Sequence, residues 1–188
     1  MDKRQLACHA VSVKKLNFGC GHRYAKGWVN IDFHSGHPAV QRVNLLQRLP
    51  FADGTFDVVY SSHVLEHFAP ATAEALLREC HRVLKPGSTA VLRTPYWNSP
   101  DQFADLTHRH AFGHRSFDMF DPTTTLGRQR SYYTTTRFSV DRYLVFIRPF
   151  GVYIPIAGPR PLVRGILRLA ERFGRIVWSQ EHWLTKRR

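Results

Sequence analysis

The feature that most constrains this chain is a strand–helix–strand unit between residues 56 and 92. Phe56–Tyr60 (FDVVY) is β-branched and apolar and follows the turn Ala52-Asp53-Gly54, which reads as a strand. Pro70–Leu84 carries apolar residues at Ala73, Leu76, Leu77, Cys80, Val83 and Leu84, the recurrence of an amphipathic helix. Lys85-Pro86-Gly87 stops that helix, with a cation in the last turn and Pro and Gly beyond it. Ser88–Leu92 begins the next strand, which Pro95 ends. Strand, turn, helix and strand in this order point to a parallel sheet with covering helices.

Upstream, the apolar run Lys14–Phe18 enters Gly19-Cys20-Gly21, and Trp28–Asp32 is a second run ending on an acid. Glycine at such a turn lets the backbone bend sharply and approach a ligand; it also serves in ordinary turns. An acid closing the second strand can accept both hydroxyls of a ribose, or act as a cap or surface carboxylate. Asp32 stands 11 residues after Gly21, whereas the dinucleotide fingerprint expects about 20 and a third glycine. The crossover has room for only a turn or two of helix, which argues against a nicotinamide dinucleotide site.

Beyond Pro95 the periodicity weakens. Tyr96–Phe120 is rich in His and aromatic residues and reads as irregular, a length of loop that in compact domains usually serves function. Tyr132–Ile147 reads as one or two strands, with an antiparallel element expected there. Pro149–Pro161 reads as irregular and Leu162–Val177 as a last helix. On that helix Leu162, Val163, Ile166, Leu167, Ala170, Phe173 and Val177 form an apolar stripe, and Arg164, Arg168, Arg172 and Arg175 a basic one. Such a helix suits an anionic membrane surface or packs on its own domain with a solvated basic face. Gly165 and Gly174 weaken it in isolation.

The 188 residues fit one domain, which needs no covalent staple. We divide it into a cofactor-binding core over about residues 10–95, which holds the glycine turn and Asp32, and a loop and basic C-terminal extension over about 96–188. Cys8, Cys20 and Cys80 are far apart and form no CxxC pair, so a reducing cytoplasm is the natural setting. No apolar stretch resembles a signal peptide or a membrane span. Residues 1–108 hold 12 Lys/Arg against 9 Asp/Glu, and residues 109–188 hold 15 against 5. The basic excess in the second part suits an anionic partner such as lipid headgroups, nucleic acid or a phosphorylated substrate.

Three blocks carry a resemblance: LNFGCGHRYAKGWVNIDFH, LPFADGTFDVVYSSHVLEHF and ECHRVLKPGSTAVLRTP. In this order and spacing, over about residues 14–95, they resemble the class I S-adenosylmethionine-dependent methyltransferases, in the methyltransferase type 11 group. The later DLTHRHAFGHRSFDMFDP resembles a subgroup with a short crossover and a Gly-Trp-x-Asn-x-Asp second strand. The resemblance fades after about residue 147. It implies that Gly19, Cys20 and Gly21 lie under the methionine moiety of S-adenosyl-L-methionine and that Asp32 holds the ribose. Val43, Asn44 and Leu45 would flank the adenine. Ser61, Ser62 and His63 would lie beside the sulfonium. The family usually has an acid where Asn44 stands and two glycines where Gly87-Ser88 stands. An amide oxygen still accepts from an adenine amino group, without charge.

His63-Val-Leu-Glu66-His67 also fits the inverted H-x-x-E-H zinc pattern, which needs both histidines on one helical face and a third ligand. The motif begins directly after a strand and meets Pro70, so no metal is expected. In Asp105-Leu-Thr-His108-Arg-His110, His108 has the proton affinity of a general base and faces an acceptor, or else hydrogen-bonds a loop in place. His63 and His108 are the candidate catalytic residues.

The expected fold is α/β and Rossmann-like: a mostly parallel sheet with flanking helices and an antiparallel strand toward the C-terminal part. The expected function is methyl transfer from S-adenosyl-L-methionine to an oxygen or nitrogen nucleophile on a small metabolite, an anionic glycan or a lipid-linked acceptor. The expected location is cytoplasmic or peripheral at an anionic membrane through Leu162–Val177. Nucleic acid is a less favoured acceptor, because no established RNA-binding motif is present. The alternative is a degenerate cofactor-binding domain that recruits a membrane or partner.

Overall fold

The computed structural model describes residues 13–147, 154–157, 160–173 and 176–187. Its strands are β1 (Lys15–Phe18), β2 (Val29–Asp32), β3 (Val40–Arg42), β4 (Phe56–Ser62), β5 (Leu84–Pro95), β6 (Phe138–Ile147), β7 (Ile154–Ile156) and β8 (Val177–Lys186). Its helices are α1 (Pro70–Val83), α2 (Pro100–Ala104), α3 (Thr125–Gln129) and α4 (Arg160–Phe173), with short 3-10 turns at Leu65–His67 and Asp118–Phe120. All eight strands form one sheet in the order β3-β2-β1-β4-β5-β8-β6-β7. β3 to β5 are parallel, and β8 pairs antiparallel with both β5 and β6.

The register sets the core. Leu16, Val59, Ala90 and Leu184 are aligned across four neighbouring strands, and none of them is exposed. Against this row α1 sets Leu76, Leu77, Cys80 and Val83, the apolar face read from its periodicity. Pro70 sits in its first turn, where a missing N–H costs nothing. The helix gives way at Leu84 to β5, which carries Pro86 and Gly87 (φ +79°) in an irregularity of the pairing with β4. Interiors of sheets tolerate proline only at such breaks.

Three parts of the chain differ from expectation. The Gly21–Asp32 crossover contains no helical turn. Asn30 does the work of one. Its Oδ1 accepts from Ala25 N (2.8 Å) and Asn17 Nδ2 (3.0 Å), and its Nδ2 donates to the carbonyls of Ala25 (2.9 Å) and Trp28 (3.0 Å). Second, Pro149–Pro161, expected to be irregular, holds β7 at Ile154–Ile156, paired antiparallel with β6; Tyr132–Ile147 holds one antiparallel strand, β6, from Phe138, within the one or two expected. Third, the last helix ends at Phe173, residues 174 and 175 (Gly174 and Arg175 of the expected helix) lie outside the described residues, and Val177 opens β8. β8 escapes a reading of periodicity because its inward positions include Gln180 and His182 beside Leu184, all three buried. Gln180 spends its amide on Tyr143, Thr94 and the carbonyl of Phe112.

α4 packs on the sheet. Val163, Leu167 and Ala170 are buried with Tyr96, Val145 and Val177, while Leu162 and Leu169 remain about half exposed and Arg168 and Arg172 face outward. The side chains of Arg164 and Phe173 lie outside the described set, as does Cys8. Among the described residues no helix is long and apolar enough to cross a membrane.

Two predictions follow from buried polar groups. His182 is wholly enclosed between the rings of Phe117 and Tyr143, and its Nε2 donates to the carbonyl of His114 at 3.3 Å. Burial pushes its pKa down to about 3. The unfolded chain therefore binds a proton that the folded one refuses, and stability falls as pH drops from about 6.5 toward 3, by at most about 1.4 kcal/mol per pH unit. Denaturant unfolding of His182→Phe should show a flatter dependence over that window. Asn30→Asp keeps both acceptors and loses both donors. It should cost about 1–3 kcal/mol at neutral pH, and less near pH 3, where the protonated acid regains one donor; thermal melts at the two pH values measure this.

Candidate functional site

The carboxyl ends of β1, β2 and β4 meet at one edge of the sheet, where open α/β folds bind ligands. Gly19 and Cys20 donate their N–H groups to the carbonyl of Ile31 at 2.8 and 3.2 Å. Gly21 N donates to Asp32 Oδ2 at 2.8 Å, and the other oxygen accepts from His34 N at 2.8 Å. Asp32 thus holds the glycine turn to the end of β2. Its carbonyl also accepts from Val43 N at 3.0 Å, which brings the segment after β3 to the same place.

Two glycines of the turn have different reasons to be glycine. Both have φ in the left-handed region, +65° at Gly19 and +52° at Gly21, where a side chain is strained. A Cβ on Gly19 would stand 2.4 Å from Val64 Cγ2, so β1 and the turn after β4 close directly on each other there. A Cβ on Gly21 would meet nothing within 4 Å. That open cradle beside a carboxylate fits a cofactor laid across the turn. Cys20 is buried, and burial, with the charge of Asp32 second, pushes its thiol pKa up; it shapes the turn as an unionised group.

Asn44 Oδ1 accepts from Leu46 N at 3.0 Å in a local turn. Leu45 points into the main core and is only 8% exposed, so its side chain packs the sheet, and only its backbone is left to border an adenine. Ser61 is buried at the end of β4, and its hydroxyl has no hydrogen-bond partner among the described residues. Ser62 is half-buried.

His63 follows immediately, with φ +56°, and is the one non-glycine residue with positive φ among those described. Strain of this kind clusters at functional sites. The conformation is held by His63 N donating to the carbonyl of Arg93 at 2.9 Å. It turns the imidazole toward Glu66, whose Oε1 lies 3.3 Å from Nδ1. The Glu66 side chain is fully buried, and neither of its oxygens has a hydrogen bond among the described residues.

The segment after β5 comes back to this turn. Arg109 N and His110 N both donate to the carbonyl of Glu66, at 2.7 and 3.1 Å. His67 Nδ1 lies 2.8 Å from Thr107 Oγ1, and the ring of His108 meets that of His67 edge-on at 4.8 Å. His108 is nearly buried, and its Nδ1 donates to the carbonyl of Gln102 at 3.0 Å. His108 therefore stands beside the turn that follows His63, and both candidate catalytic histidines border Glu66, a residue whose importance the sequence signals only inside the H-x-x-E-H pattern. Asn30, which pins the glycine turn, stands in the Gly-Trp-x-Asn-x-Asp pattern but was given no role there, and Asn17 was not singled out; a polar side chain inside an otherwise apolar strand was its signal. A separate cleft of about 550 Å³ lies between His114, Arg115, Thr124, Arg142, Tyr143 and Leu167 and contains none of these residues.

Residues 16–92 match the family model described as a methyltransferase domain. Among curated proteins the chain is similar to a malonyl-[acyl-carrier protein] O-methyltransferase of Coxiella burnetii, 36% identical over 77 residues, covering 39% of this chain and 26% of that protein. The chain spans about a quarter of the length of the curated relatives it matches. Among solved structures it resembles a SAM-dependent methyltransferase from Archaeoglobus fulgidus, with TM-score 0.62, 18% identity, and coverage of 94% of this chain and 87% of that one. It also resembles a SAM-dependent methyltransferase from Thermotoga maritima described as a possible histamine N-methyltransferase, with TM-score 0.58, 14% identity and coverage of 93% and 82%. Residues 16–92 thus match the methyltransferase domain model, and the sheet that carries them has the fold of solved SAM-dependent methyltransferases.

Proposed function

We propose that this chain transfers a methyl group from S-adenosyl-L-methionine to an oxygen or nitrogen nucleophile. The single observation behind this reading is the Gly19–Gly21 turn latched to Asp32 at the carboxyl edge, within the segment that matches the methyltransferase family. Gly19, Cys20 and Gly21 would underlie the methionine moiety. Asp32 would take the ribose through the lone pairs its two backbone contacts leave free. The segment Val43–Leu45 would border the adenine, and Ser61, Ser62 and His63 the sulfonium. Bound there, the cofactor supplies an electrophilic methyl group, and the acceptor's lone pair forms the new bond as the carbon–sulfur bond breaks.

The chain's own residues align the reactants and keep water out, the main contributions to such a displacement. His63 and His108 bring basic nitrogens to the acceptor side. The basic excess over residues 109–188 favours an anionic glycan, a lipid-linked acceptor or a phosphorylated metabolite. The similar proteins include an O-methyltransferase and a possible N-methyltransferase, so both nucleophiles stay within the reading. The competing reading is a degenerate binding module. It draws on Asp32 and Asn44, whose side-chain oxygens are already engaged by backbone N–H groups.

Calorimetry should give micromolar-range binding of S-adenosyl-L-methionine to the wild type, as natural sites do, and none to Asp32→Ala; Asp32→Asn should bind in between. Transfer of labelled methyl into pools of glycans, lipids, RNA and small metabolites then separates the two readings. Binding without transfer into any pool supports the module, and absence of binding ends the methyltransferase reading and leaves the module. On the true acceptor His108→Ala should leave cofactor affinity nearly unchanged and lower turnover about a hundredfold.

A further inference from the structure

We propose that Glu66, His67 and His108 form a binding site for one divalent transition-metal ion, with zinc as the reference ion. One ligand atom from each residue, a carboxylate oxygen of Glu66 and a ring nitrogen of each histidine, lies within 4.8 Å of the others. Donor atoms around a zinc ion are about 3.4 Å apart, so small side-chain rotations close the set.

The surroundings point the same way. The Glu66 carboxylate is fully buried and makes no hydrogen bond among the described residues, with His63 Nδ1 3.3 Å from Oε1 as a longer polar contact. A buried carboxylate so weakly compensated is costly, and a bound cation offsets that cost. Both histidines are also set in one tautomer. Thr107 Oγ1 donates to Asp105 Oδ1 at 2.7 Å, so it accepts from His67 Nδ1. The Gln102 carbonyl can only accept, so His108 Nδ1 is its donor. In its neutral form each ring therefore carries its proton on Nδ1 and a lone pair on Nε2. This is how metal-binding histidines are prepared, with the outer nitrogen donating to an oxygen. Asp105 Oδ2 lies 4.0 Å from His108 Nε2 and adds negative charge at the rim.

Two imidazoles and one carboxylate make a catalytic donor set with an open coordination position, not a closed structural one. Resting on the methyltransferase reading, that position would take an acceptor oxygen and hold it beside His63. The expectation of no metal weighed His63 and His67 as a pair on one helical face. Here His63 turns to Glu66, and the second imidazole comes from the segment after β5, which two backbone hydrogen bonds strap to Glu66.

The test uses untagged protein, stripped with chelator and dialysed. Cobalt(II) titration should give visible absorption bands saturating at one ion per chain, and zinc calorimetry should give one micromolar or tighter site. Glu66→Gln and His108→Ala should each weaken binding at least tenfold, Thr107→Val by a similar factor through the tautomer, and exposed His37→Ala not at all; far-ultraviolet circular dichroism checks that each variant is folded. No stoichiometric binding, or equal binding by Glu66→Gln, or loss in His37→Ala, overturns the site. Cofactor calorimetry on the same samples keeps the two readings apart. Metal bound without S-adenosyl-L-methionine binding removes the methyltransferase reading alone, and the converse removes the metal site alone.

Discussion

Asn30 spends all four of its hydrogen-bonding positions inside the link between β1 and β2, and the carboxyl edge depends on that. A longer crossover would fix the glycine turn by packing a helix on the sheet. Here ten residues must do it without one. The amide of Asn30 ties Ala25 and Trp28 to the second strand, and Asn17 ties it to the first. With that link fixed, Asp32 lands where it can hold Gly21, and its carbonyl holds Val43. The contacts are local, buried and fully satisfied, the condition under which a polar network rigidifies a site instead of weakening it.

The unit β4–α1–β5 was legible in the sequence because each element there follows a single rule. Phe56, Val59, Ala90 and Leu92 are apolar where strands face the core, and α1 repeats every three or four residues. The glycine turn and Asp32 were legible for the same reason, since a strained turn admits few residue types. β8 was not legible. Its buried face mixes Leu184 with Gln180 and His182, whose partners Tyr143, Phe112 and His114 lie in segments distant in sequence. Polar residues that pair across a fold carry no period of their own. Leu45 was read from family position as a neighbour of the adenine, and burial assigns its side chain to the core.

Pattern also could not join the two halves of the acceptor side. The segment 96–120 has no periodicity to fix its path, and its position follows from backbone donors at Arg109 and His110 meeting the carbonyl of Glu66. Main-chain hydrogen bonds leave no trace in residue identity. The chemistry of Glu66, His67 and His108 is therefore a property of the folded chain. The same holds for the strain at His63: nothing in the letters VVYSSH marks a histidine with left-handed backbone, yet that turn aims its ring at Glu66.

The place of β8 has a consequence for how the molecule is made. β8 lies between β5 and β6, pairs with each along most of its length, and connects β6 and β7 to the other strands. Among the described strands it is the last to be synthesised. Until residues 177–186 emerge, the nascent chain holds two sheet fragments whose facing edges, β5 and β6, offer unpaired N–H and C=O groups to any passing strand. Pairings that span nearly the whole of residues 89–185 form slowly because of the loop they must close. Synthesis of this chain therefore includes an interval in which the two strands that later enclose β8 are adhesive, and a chaperone that shields an open sheet edge would act in that interval.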